Sequence, residues 1–64
     1  MCRSIKTLRT IDHDDDDIRA AALQFVRKVS GYRQPAQRNA EAFERAVDEI
    51  TESAQRLLAG LVTR

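Results

Sequence analysis

The sequence predicts an all-α protein, an antiparallel hairpin of two helices. Two stretches carry apolar residues at the three- and four-residue spacing that places side chains on one face of a helix. A short connection between them contains Gly31 and Pro35, residue types that favour a helix end and a helix start. No stretch shows the alternation of apolar and polar residues that indicates a strand.

The first helix is predicted over about residues 15–30. Asp14 or Asp15 can cap it, because a short carboxylate accepts the unpaired amide protons of the first turn. Arg27 and Lys28 lie at the other end, where the helix dipole favours positive charge. Gly31 suits the left-handed residue after the helix. The predicted apolar stripe is Ile18, Ala22, Phe25, Val26 and Val29.

The second helix is predicted over about residues 36–62, after a connection at 31–38. It can begin beside Pro35, or at Asn39 acting as an N-cap with Glu41 in the first turn. Its predicted apolar stripe is Ala40, Phe43, Val47, Ile50, Ala54, Leu57, Leu58 and Leu61.

The chain has 64 residues and is predicted to form one domain over 1–64. A chain this short buries only about 60% of the surface that it exposes when unfolded, so it needs further support. Ile5, Leu8 and Ile11 recur every third residue in the N-terminal part, 1–13. We expect that part to cover the hairpin as a short helix or an extended arm. We also expect a homodimer that forms a four-helix bundle, with another protein as an alternative partner.

The sequence indicates a cytoplasmic protein. Basic residues near the start are not followed by the apolar segment of a signal peptide, and no apolar run approaches the ~20 residues of a membrane span. Cys2 is the only cysteine, which excludes an internal disulfide and favours a reducing compartment. Cys2 and His13 do not form a metal-binding pattern, and we expect neither metal nor cofactor.

Cys2 is the one candidate for chemistry, although on balance the sequence favours a protein that is not an enzyme. If Met1 is removed, the α-amine of Cys2 becomes a local base for its own thiol. Arg3, with Lys6, would then stabilise the thiolate. No partner set for nucleophilic catalysis follows in the sequence, so the alternative is that Cys2 packs as a small apolar residue beside Ile5.

Two acidic groups are candidates for metal sites. The run Asp12-His13-Asp14-Asp15-Asp16-Asp17 lacks the spacing and the central glycine of a calcium loop, so helix capping and solvation explain it better. Three carboxylates of the second helix have no Glu-x-x-His pattern and are predicted to form a solvated face, partly paired with an arginine of 19, 27 or 38. These three are Glu44, Asp48 and Glu52.

A basic segment flanks the connection and suggests weak contact with nucleic acid. Its members are Arg27, Lys28, Tyr32, Arg33 and Arg38, of which the tyrosine could stack on a base. The second helix carries mainly acidic residues on its polar face, which phosphates would repel. Nucleic acid is therefore not the expected partner.

The stretches "MCRSIKTL", "IRAAALQFVRKVSG" and "AFERAVDEI…RLLAGLV" resemble a small bacterial family of uncharacterised proteins, a domain of unknown function that begins Met-Cys-Arg. In outline the chain is also similar to a J domain, although residues 31–35 lack the His-Pro-Asp loop of that domain. The first resemblance supports a helical fold and implies no activity. We expect a self-associating or protein-interaction module, with a thiol role for Cys2 and nucleic-acid contact as the alternatives.

Overall fold

The computed structural model describes residues 5, 7–9 and 12–61. Two helices, α1 at Asp15–Ser30 and α2 at Gln37–Gly60, run antiparallel and pack against each other along their length. The described residues contain no strand. The predicted all-α hairpin is confirmed.

Helix α1 begins and ends as its sequence predicts. Of the two aspartates considered, Asp14 is the N-cap, and its carboxylate accepts a hydrogen bond of 3.0 Å from the amide of Asp17. The Asp17 carboxylate accepts one of 3.0 Å from the amide of Asp14, which completes a capping box. At the other end Gly31 adopts φ 78°, and its amide donates to the carbonyl of Arg27 at 2.9 Å.

Helix α2 begins beside Pro35, one of its two predicted starts, and ends two residues earlier than predicted. Ala36 is the N-cap and offers no side-chain hydrogen bond, so the alternative start at Asn39 is wrong. Asn39 instead lies in the first turn, where its amide donates to the carbonyl of Ala36 at 2.9 Å. The helix ends at Gly60 rather than at 62, and Leu61 has extended backbone. Glycine is a poor helix former, which explains the earlier end.

The core is one thin seam between the helices. Among the described residues its buried apolar side chains are Ile18, Ala22, Val26, Phe43 and Val47. Thr51 is also buried, and its hydroxyl donates to the carbonyl of Val47 at 2.6 Å. The sequence pattern did not predict this threonine, because the internal hydrogen bond that makes its burial tolerable is not visible in the residue type.

Several residues of the predicted apolar stripes are exposed. Phe25 retains 47% of its accessible surface and Val29 retains 70%. On α2, Leu57 retains 59% and Leu61 retains 41%. A helix that contacts only one other helix can bury only the centre of its apolar stripe, so side chains at the edge of the stripe stay at the surface.

The N-terminal part is described in pieces, and those pieces contain no helix. Ile5 and Leu8 are half-buried, while Ile11 lies outside the described residues. Within the part of the chain that is described, neither helix has the length and apolar character that crossing a bilayer requires.

Candidate functional site

One side of the hairpin presents an apolar surface formed by both helices, and we call it the apolar face. A groove of about 320 Å³ lies along it, between the two helices. Helix α1 contributes Phe25 and Val29, and α2 contributes Ala42, Ala46 and Ile50. The small side chains of the two alanines leave space in front of the α2 backbone, so the floor of the groove is shallow and apolar.

The apolar face continues beyond the groove toward the end of α2. Leu57 lies eleven residues after Ala46 and seven after Ile50, a spacing that keeps it on the same stripe of α2. At the other end Tyr32, in the connection, lines the groove and is 47% exposed. Large exposed apolar surfaces of this kind are typical of binding sites.

The two alanines of the groove were not in the predicted stripe. Ala42, Ala46 and Ile50 are spaced by four residues each, so a signal was present. It was missed because alanine is compatible with core and surface positions alike.

The opposite edge of the hairpin is polar and is held by Arg19. One guanidinium nitrogen of Arg19 donates a hydrogen bond of 2.5 Å to the Asp48 carboxylate, and another donates one of 3.1 Å to the Glu44 carboxylate. The predicted partial pairing of the three α2 carboxylates with an arginine is therefore formed. The arginine is Arg19, one of the three candidates, and it pairs with Glu44 and Asp48. All three side chains remain largely exposed, so this bridge orients the helices more than it stabilises them.

The bridge shifts the ionisation of Arg19. Its hydrogen bond to Asp48 raises the pKa of the guanidinium above the ordinary value, desolvation opposes this, and the charges of Asp48 and Glu44 add to it. Because the pKa is raised in the folded state, this contribution is fully present below the ordinary arginine pKa. It is lost only as the pH rises through the higher folded-state pKa. The cation is therefore retained throughout the neutral range.

The basic residues predicted to contact nucleic acid lie at the end of the hairpin that carries the connection. Arg27, Lys28 and Arg33 border one shallow depression there, and Arg38 does not line it. Arg27 makes hydrogen bonds within the fold: it donates to the carbonyl of Arg33 at 3.1 Å and to the Gln24 side chain at 3.4 Å. Nucleic-acid contact stays a prediction.

Among the described residues, the candidates for other chemistry do not form a site. Cys2 and Arg3 lie outside the described residues. In the aspartate run, Asp14 and Asp17 serve the capping box of α1. Over 5, 7–9 and 12–61, no three histidine, cysteine, aspartate or glutamate side chains are grouped so that they could hold a metal ion.

Comparison with known sequences places the chain in a family. Residues 1–64 match the uncharacterised conserved proteins of DUF2277. The chain belongs to DUF2277. The match spans the whole sequence, so the resemblance to a family of uncharacterised proteins, noted from the "MCRSIKTL" and helix stretches, is confirmed. No curated protein and no solved structure matches this DUF2277 chain. The family brings no activity with it, and the likeness to a J domain stays a prediction.

Proposed function

We propose that this protein is a self-associating interaction module, a homodimer whose two hairpins pack through their apolar faces. The observation that carries the proposal is the exposure of Phe25 and Val29 beside a groove that both helices line. The internal seam buries few apolar side chains, and a chain of this length gains stability by covering further apolar surface. Pairing the two faces would create a four-helix bundle.

The size of the apolar side supports this partner. The 24 residues of α2 span about 36 Å at 1.5 Å per residue. With a width of 21 Å for the molecule, the whole side that contains the apolar face measures on the order of 750 Å², near the ~800 Å² that each partner contributes to a standard interface. One further copy is therefore enough to cover the face.

A cytoplasmic location belongs to the same proposal. It is supported by the single cysteine, Cys2, because an unpaired thiol suits a reducing compartment. No described contact favours a thiol activity or nucleic-acid binding over self-association, and neither is proposed.

Sedimentation equilibrium on the full chain at tens of micromolar tests the proposal, with Ala42→Glu as the disruptive variant. Ala42 is exposed and lines the groove, so glutamate there places an unpaired charge in the interface. We expect the dimer dissociation constant to rise at least tenfold.

Ala59→Glu is the matched control, because Ala59 is an equally exposed alanine of α2 that lies outside the groove. We expect it to remain dimeric, and circular dichroism should show both variants helical. A monomeric wild type, or equal weakening by the two variants, would contradict the proposal.

A further inference from the structure

The two ends of the hairpin carry opposite net charge, although Arg9 and Arg56 also lie at the open end, which is the end away from the connection. Residues 27–38, at the connection, contain four basic residues and no acid. Residues 12–17, at the open end, contain five aspartates and no basic side chain other than His13. Since α1 and α2 are antiparallel neighbours, these blocks lie at opposite ends of the molecule.

Helix α1 repeats this polarity along the edge of the apolar face. Asp17, Ala21, Phe25 and Lys28 are spaced by four, four and three residues, which places them on one stripe of the helix. Asp17 is two residues from the start of α1 and Lys28 is two residues from its end. Both are exposed. The stripe is therefore apolar at its centre and oppositely charged at two equidistant points.

We infer that the two copies pack antiparallel, so that the basic connection of each hairpin lies over the acidic open end of the other. This inference rests on the proposed self-association and adds its orientation. A two-fold axis that crosses the middle of α1 at right angles to the helix then places α1 of one copy on α1 of the other. Asp17 of each copy lies opposite Lys28 of the other. Such an interface is isologous, and one pair of residues supplies two contacts.

The alternative two-fold axis, along the helices, sets like charges against each other. In that arrangement α1 of one copy lies over α2 of the second, with both connections at the same end. The basic residues of the two connections would then be neighbours, and the five aspartates of one copy would share an end with those of the other, where α2 carries one acid, Glu52, and one base, Arg56. Juxtaposed like charges disfavour that orientation.

The orientation can be measured with a spin label on Gln34→Cys in a Cys2→Ser background. Gln34 is exposed and lies in the connection. From the helix rise, its two copies should lie about 30 Å apart in the antiparallel dimer, against under ~20 Å when both connections share an end. Double electron–electron resonance separates these distances, and sedimentation on the same sample reports the oligomeric state.

The outcomes distinguish the two proposals. A dimer with the long distance supports the antiparallel arrangement. A dimer with the short distance overturns it and leaves self-association standing. A monomer overturns both.

Charge reversal provides an independent readout. Lys28→Glu would place a glutamate opposite Asp17 of the second copy, so we expect at least tenfold weaker dimerisation at about 20 mM salt, with a smaller effect near 1 M. The control is Arg38→Glu, the same charge change at the same end. Arg38 and Arg56 lie nine residues on either side of Val47, which packs beside Ala22 at the middle of α1. In the antiparallel dimer Arg38 therefore faces Arg56, one like-charge contact between ends of opposite net charge, so its reversal should leave the dimer as strong or strengthen it. Equal weakening by both variants would overturn the inferred orientation.

Discussion

Replacing Gly31 with alanine tests the turn that holds the two helices antiparallel. Gly31 has φ 78° and ψ 2°, and its amide bonds the carbonyl of Arg27 at 2.9 Å. No atom lies within 4 Å of the position that a Cβ would take, so the substitution introduces no clash. Its whole effect on the folded state is the strain of left-handed backbone.

That strain determines how much the substitution lowers the free energy of unfolding. An L-residue in left-handed geometry costs about 1–2 kcal/mol. Alanine also restricts the unfolded chain, which returns about 0.4–1 kcal/mol. The expected net loss is about 1 kcal/mol, which lowers the melting temperature of a small domain by about 4–8 °C.

Gly60→Ala is the matched control. Gly60 is the last residue of α2, its φ is not positive, and again no atom lies within 4 Å of the added Cβ. Alanine is the better helix former, so stability should hold or rise by up to about 0.5 kcal/mol. Thermal unfolding of the three proteins at one concentration, followed by circular dichroism, makes the comparison. If Gly31→Ala melts with the wild type, or if the two variants shift together, the reasoning about the left-handed cap is refuted.

Two further predictions concern the N-terminal half. Asp14→Ala removes the capping carboxylate of α1 and should cost about 1 kcal/mol. Asp16→Ala removes an exposed acid of the same turn for which no capping bond is seen, and urea titration should show a smaller loss; equal losses would contradict the capping-box argument. The thiol of Cys2 should react with iodoacetamide across pH in parallel with a free cysteine peptide, as expected of an unactivated thiol. If the reaction rate instead reached its plateau at a pH well below that needed by the peptide, Cys2 would be an activated thiol.

The limits of prediction are visible in particular residues. Asp14 and Gly31 could be placed at the ends of α1 because caps depend on residues within one turn of each other. The start of α2 was harder, since Ala36 caps the helix without any side-chain bond and leaves no local signal. The pairing of Arg19 with Glu44 and Asp48 joins residues far apart in sequence, so the sequence allowed three arginines and the packing selected one.

Two helices and the apolar character of their stripes were predictable because they follow from helical periodicity and short-range capping. Their antiparallel order was predictable from the short connection. Which part of each stripe is buried depends instead on how the two helices pack together. Val26 and Phe43 meet in the seam while Phe25 and Val29 remain at the surface, since the line of contact between two helices is narrower than either stripe. That difference in width creates the apolar face on which the proposed dimer depends.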